Sequence, residues 1–88
     1  MPKLRASERF LVAQERLPDR IYKKLEKALS LLAANPRHPS LQTKRIKGRA
    51  DIYEARVDQA YRLTYHRLPN DNLELRTVGR HDETIRNP

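Results

Sequence analysis

Two periodicities divide the chain near Pro36. Before it, apolar residues recur at helical spacing. Ile21, Leu25, Ala28, Leu29 and Leu32 fall at i, i+4, i+7, i+8 and i+11 and share one helix face. Pro18 suits the first turn of that helix, and Asp19 suits the positive end of its dipole. Asn35-Pro36 ends it, because the residue before a proline avoids helical angles. An earlier helix, about Ala6 to Arg16, would set Phe10, Ala13 and Leu17 on one side. The two predict a helical hairpin jointed at Leu17-Pro18.

After Pro36 the period drops to two. In IYEARV, Tyr53, Ala55 and Val57 oppose Ile52, Glu54 and Arg56; in AYRLTYHR, Tyr61, Leu63 and Tyr65 oppose Arg62, Thr64 and His66. Asp58-Gln59 between them reads as the turn of a β-hairpin, and PNDN at 69–72 as a second turn. NLELRTV then predicts a strand with Leu73, Leu75 and Thr77 on one side, and a short strand from Thr43 to Lys47 would close at Gly48. The sum is an α+β fold: an N-terminal helical hairpin (about 6–34) packed on a three- to four-stranded antiparallel sheet (about 42–79), in one domain spanning 1–88. The helices would cover the apolar sheet face. The other face would present Glu54, Arg56, Arg62, Thr64, Glu74 and Arg76 to water or a ligand.

Charge sharpens this picture. Nineteen Lys and Arg against eleven Asp and Glu give a net charge of +8, which favours an anionic partner such as nucleic acid or an acidic protein. At 88 residues the core is small, so a permanent partner would add needed stability. There are no cysteines, hence no disulfides or thiolate metal sites. No apolar run approaches a bilayer span, and the charged N-terminal stretch lacks the apolar centre of a signal peptide. A cytoplasmic protein without membrane contact is expected. His38, His66 and His81 lack close ligand spacing, so neither metal nor cofactor is expected.

Four segments in order then carry a resemblance: a helix ending in NPRHPSL, a basic strand closing in KG, the IYEARV…YRLTYHR hairpin, and a last strand followed by VGRHDE. From about Leu17 to Ile85 this succession resembles the RelE/ParE superfamily of toxins from type II toxin–antitoxin systems. The resemblance implies two N-terminal helices on a curved antiparallel sheet. It also implies a cognate antitoxin, acidic and partly disordered, that wraps the toxin; operator DNA would be met only through that complex. Many members are ribosome-dependent endoribonucleases that cut messenger RNA and so repress translation. The ParE branch poisons DNA gyrase instead, and an inactive, antitoxin-binding homologue is a third outcome.

RNA can be cut without metal when its 2′-OH attacks the adjacent phosphate. This needs a base, an acid for the 5′-oxygen and cations for the phosphorane charge. A ribosome holding the messenger would supply the orientation. His81, at a strand end where a loop could present it, is the candidate proton carrier, since histidine exchanges protons near neutral pH. The resemblance points the same way, because YafQ-like toxins place a histidine after the final strand. Their histidine in the hairpin's first strand corresponds to Arg56, where RelE proper has arginine. Their turn aspartate falls on Ala60, and the C-terminal tyrosine of RelE proper has no match in TIRNP.

Arg56 and Arg80 are the candidates for the scissile phosphate, since the guanidinium fork binds phosphate in bidentate fashion. Asp82 or Glu54 would orient His81 or serve as base. Lys44, Arg45, Lys47 and Arg62 would hold flanking phosphates or ribosomal RNA. Tyr53 or Tyr61 could stack a base. Each has a plainer reading. The tyrosines at period two fit a core, Arg62 and Tyr65 fit structural roles, His38 fits a loop cap, and His66 carries no signal.

Overall fold

The computed structural model describes residues 2–88, which form a five-stranded sheet with helices on both faces. In chain order the elements are β1 (Leu4–Ala6), α1 (Glu8–Glu15), α2 (Asp19–Ala34), β2 (Lys44–Arg45), β3 (Ile52–Arg56), β4 (Tyr61–Arg67), β5 (Leu73–Arg80) and α3 (His81–Arg86). The strands lie in the order β1-β5-β4-β3-β2. All neighbours are antiparallel except β1 and β5, which run parallel. The strand count therefore exceeds the predicted three or four by β1, a three-residue strand whose partner lies some seventy positions away in sequence. Three residues show no periodicity, so β1 left no pattern in the sequence.

The helical hairpin forms where the apolar stripe places it. Ser7 caps α1 by accepting the Phe10 amide at 3.1 Å, and Glu8 and Asp19 complement the helix dipoles. Pro18 sits one position earlier than predicted, at the N-cap of α2. The stripe Ile21, Leu25, Ala28 and Leu32 is buried, and Leu25, Ala28, Leu32 and Phe10 pack with Leu41, Ala55, Leu63, Tyr65, Leu73, Leu75 and Val78. Each large buried side chain contributes about 1.5–3 kcal/mol to this core. Asn35 ends α2, and His38 caps the turn Pro39–Leu41 by accepting the Ser40 amide on Nδ1 at 3.1 Å.

Register then sets the faces. Tyr53 pairs with Tyr65, Ala55 with Leu63, and Leu63 with Val78, giving the helix-covered face. Glu54 pairs with Thr64, and Arg56 with Arg62, on the opposite face. A β-bulge at Thr64/Tyr65 takes up one extra residue of β5, so that Tyr65 meets Leu75 but Thr64 meets Thr77. Period two predicted Thr77 beside Leu75; the bulge moves it across the sheet.

The second face is also not open to water as predicted. The short helix α3 and the residues after it lie over it, and Thr64 and Glu54 are 0% and 5% exposed.

Candidate active site

His81 is the first residue of α3, not a loop residue as the sequence suggested. Two features fix it there. Its backbone N–H donates to Ala60 O at 2.9 Å, tying α3 to the β3–β4 loop. Thr84, buried against Gly79, returns its hydroxyl to His81 O at 3.1 Å. The imidazole reaches over the sheet, with Nε2 3.8 Å from Glu54 Oε1 and the side chain 40% exposed. This separation exceeds a direct hydrogen bond, and one water can bridge it.

Glu54 points from the middle of β3 and is directly opposite Lys44 of β2 and Thr64 of β4. Lys44 therefore shares the face of Glu54, whereas Arg45 shares that of Tyr53. Arg56 lies two residues further along the same face as Glu54 and has no carboxylate partner among the described residues. It also borders a shallow cleft with Lys24 and Lys27 of α2.

Other predicted site residues lie elsewhere. Arg80 pairs with Tyr61 on the helix-covered face, and its guanidinium stacks on the Tyr61 ring at 5.7 Å, so β5 holds it away from Arg56. Asp82 is exposed in the first turn of α3, where it complements the dipole; the carboxylate beside the His81 imidazole is that of Glu54. Arg62 turns back on its own hairpin, donating from Nη1 to the carbonyls of Asp58 at 2.7 Å and Tyr61 at 3.0 Å. Those bonds hold the Nη1 end of the guanidinium against the hairpin turn, opposite Arg56 in the register. Lys47 is exposed in the turn after β2.

Tyr65 lies in the core, with Tyr53 packed partly buried against it, while Tyr61 lies outside the core cluster. Tyr65 is buried and stacks on Tyr53, with ring centroids 5.4 Å apart. Burial raises the Tyr65 phenol above its ordinary value. A cleft of about 810 Å³ borders this pair and His38. It lies on the helix-covered side of the sheet, apart from His81 and Glu54. The site itself is a shallow face rather than a pocket, a shape that suits an extended polyanion more than a small molecule.

The chain as a whole matches a family model, that of the ParE toxin of type II toxin–antitoxin systems, over residues 3–85. The chain belongs to this toxin family. No curated protein sequence matches it. Its fold is similar to that of the toxin in the RelBE toxin–antitoxin complex of E. coli (23% identity, TM-score 0.72, covering 91% of this chain and 96% of that one). It is also similar to the YoeB/ParE toxin of Agrobacterium tumefaciens (19%, 0.75, 90% and 98%) and to the E. coli DinJ–YafQ complex (21%, 0.70, 94% and 97%).

In this toxin, sequence reasoning found His81, Glu54, Arg56 and Lys44 on one surface but missed α3 beneath His81. A signal was present. Asp82 and Glu83 in a first turn, with Arg86 in the last, are the charge pattern of a short helix.

Proposed function

We propose that this toxin is a metal-independent endoribonuclease that cuts messenger RNA held by the ribosome in the cytoplasm. One observation carries the reading: His81 stands against Glu54 on a sheet face where Arg56 has no carboxylate partner among the described residues. The 2′-OH gives its proton to a water molecule as its oxygen bonds to phosphorus, the bond from phosphorus to the 5′-oxygen breaks, and a 2′,3′-cyclic phosphate and a 5′-hydroxyl are left. His81 supplies the proton to the departing oxygen. Arg56, with Lys44 at the edge, offsets the charge on the phosphorane. At 3.8 Å from Nε2, Glu54 leaves no room for a phosphate between the two groups, so its role is to orient the imidazole. The distance thus favours this role over that of an independent base.

A positively charged surface around such a site needs a partner that silences it. An acidic, partly disordered antitoxin segment fits the +8 charge. The similar E. coli toxins are found in complexes named RelBE and DinJ–YafQ. A second reading, a gyrase poison with no chemistry of its own, is favoured by the match to the ParE family.

The test is messenger RNA cleavage in a translation extract with wild-type toxin, His81→Ala and Arg56→Ala. Cleavage by wild type and a loss of about 10²–10⁴-fold in His81→Ala is expected. Uncut messenger with stalled gyrase–DNA complexes, unaffected by His81→Ala, would establish the gyrase reading instead.

A further inference from the structure

One polar side chain buried beneath α3, that of Thr64, does not belong to the proposed chemistry. Thr64 is 0% exposed although it lies mid-strand on the face predicted to be wet. Its hydroxyl donates to the Pro88 oxygen at 3.0 Å. Arg76, the extra residue at the bulge, donates to the same oxygen from Nε at 3.0 Å. Arg9 of α1 donates to the neighbouring Asn87 oxygen. Pro88 is itself buried. Three side chains from β4, β5 and α1 thus converge on two consecutive backbone oxygens just after α3.

A helix of six residues does not hold itself together in water, so α3 depends on anchors at its ends. At its start, the His81 N–H is held by Ala60 O. At its end, the only polar anchors among the described residues beyond the helix's own bonds are those from Arg9, Thr64 and Arg76. Thr64 is also the direct cross-strand partner of Glu54. One residue therefore touches both the strand position that carries the carboxylate and the segment that carries the imidazole.

We propose that Thr64 and Arg76 form a latch on residues 87–88 that positions His81 over Glu54. They are positioning residues, acting through α3 and not on the RNA. The proposal rests on the ribonuclease reading above and extends it to what holds the site in register.

The experiment compares wild type, Thr64→Val, Thr64→Ser and Arg76→Gln. Valine keeps the shape of threonine and removes only the hydroxyl; serine keeps the hydroxyl. Two quantities are read: the single-turnover cleavage rate on programmed ribosomes against ribosome concentration, and the His81 ring resonances with amide exchange across 81–88 by NMR. Small displacements of a reacting group cost up to about 10²-fold, so Thr64→Val and Arg76→Gln should lose at least about tenfold in maximal rate. The half-saturating ribosome concentration should stay unchanged and Thr64→Ser should recover the rate. In the same two variants the His81 ring shifts should move and the amides of 84–87 should exchange faster, while those of the sheet keep their protection.

Wild-type rates in both Thr64→Val and Arg76→Gln, or unmoved His81 resonances in both, would overturn the latch. If wild type cuts no RNA, the nuclease reading falls and the NMR arm alone decides the latch, moved His81 resonances upholding it and unmoved ones refuting it.

Discussion

Asp58 shows how much one side chain can organise. Its Oδ1 accepts the Ala60 amide at 2.8 Å and its Oδ2 meets Lys24 Nζ at 2.7 Å, so it closes the β3–β4 loop and ties it to α2. The Ala60 amide first, then Lys24, holds the carboxyl below its ordinary value of 3.8. A lowered folded-state value means that the stabilisation is present in full above the unfolded value and fades as pH falls through the folded one. Asp58→Ala should therefore lose about 1 kcal/mol at pH 7. The difference from wild type should shrink below pH 4 and vanish at still lower pH; urea titrations at several pH values check this. Lys24→Met should lose less, because an exposed lysine pair is worth under about 1 kcal/mol. At the proposed site, Glu54→Gln keeps the shape and removes the charge. Its cleavage rate should fall about 10–100-fold in the extract assay while the melting temperature holds, as expected of a group that orients a proton carrier.

Between elements, the joint of β5 and α3 decides where His81 points. Gly79 sits just before it, without a positive φ, and a Cβ there would meet Thr84 Cγ2 at an ordinary 3.7 Å. Gly79→Ala should thus fold normally, within about 0.5 kcal/mol of wild type by thermal melt. The α2–sheet interface is less forgiving. Leu25 is 1% exposed in the centre of the core, and Leu25→Ala should lose about 2–5 kcal/mol. For a domain of this size each kcal/mol moves the melting temperature by about 4–8 °C. The bulge in β5 matters for a different reason: with Arg76 as the extra residue, it brings Thr77 to the Thr64 side beside Arg76.

For the whole molecule, the +8 charge is not spread without effect. Lys44 lies on the Glu54 face and Arg45 on the Tyr53 face, although they are sequence neighbours. Binding of a single-stranded oligonucleotide should weaken steeply with salt, with a log–log slope reduced by about 0.7–1 in Lys44→Ala and by less in Arg45→Ala. Equal effects of the two substitutions, measured by fluorescence anisotropy across a salt series, would show that RNA does not follow the Glu54 face.

Local pattern was enough for part of this. The stripe on α2, the period-two strands and the turns at 58–59 and 69–72 were legible because their causes are local: side-chain period, proline geometry and turn chemistry. Composition made the anionic partner an expectation, and four ordered segments carried the likeness to a toxin family. The position of His81 after the last strand was legible too. What surrounds it was not. β1 exists because β5 offers it a partner seventy residues away, and Thr77 faces as it does because a bulge absorbs one residue. Arg80 faces away from Arg56 because cross-strand register assigns it to Tyr61, and Arg62 sets its Nη1 against carbonyls that its own hairpin turns toward it. Thr64 is buried because residues 87–88 return across the sheet. Each of these depends on a contact between distant segments, and only the folded chain brings those segments together.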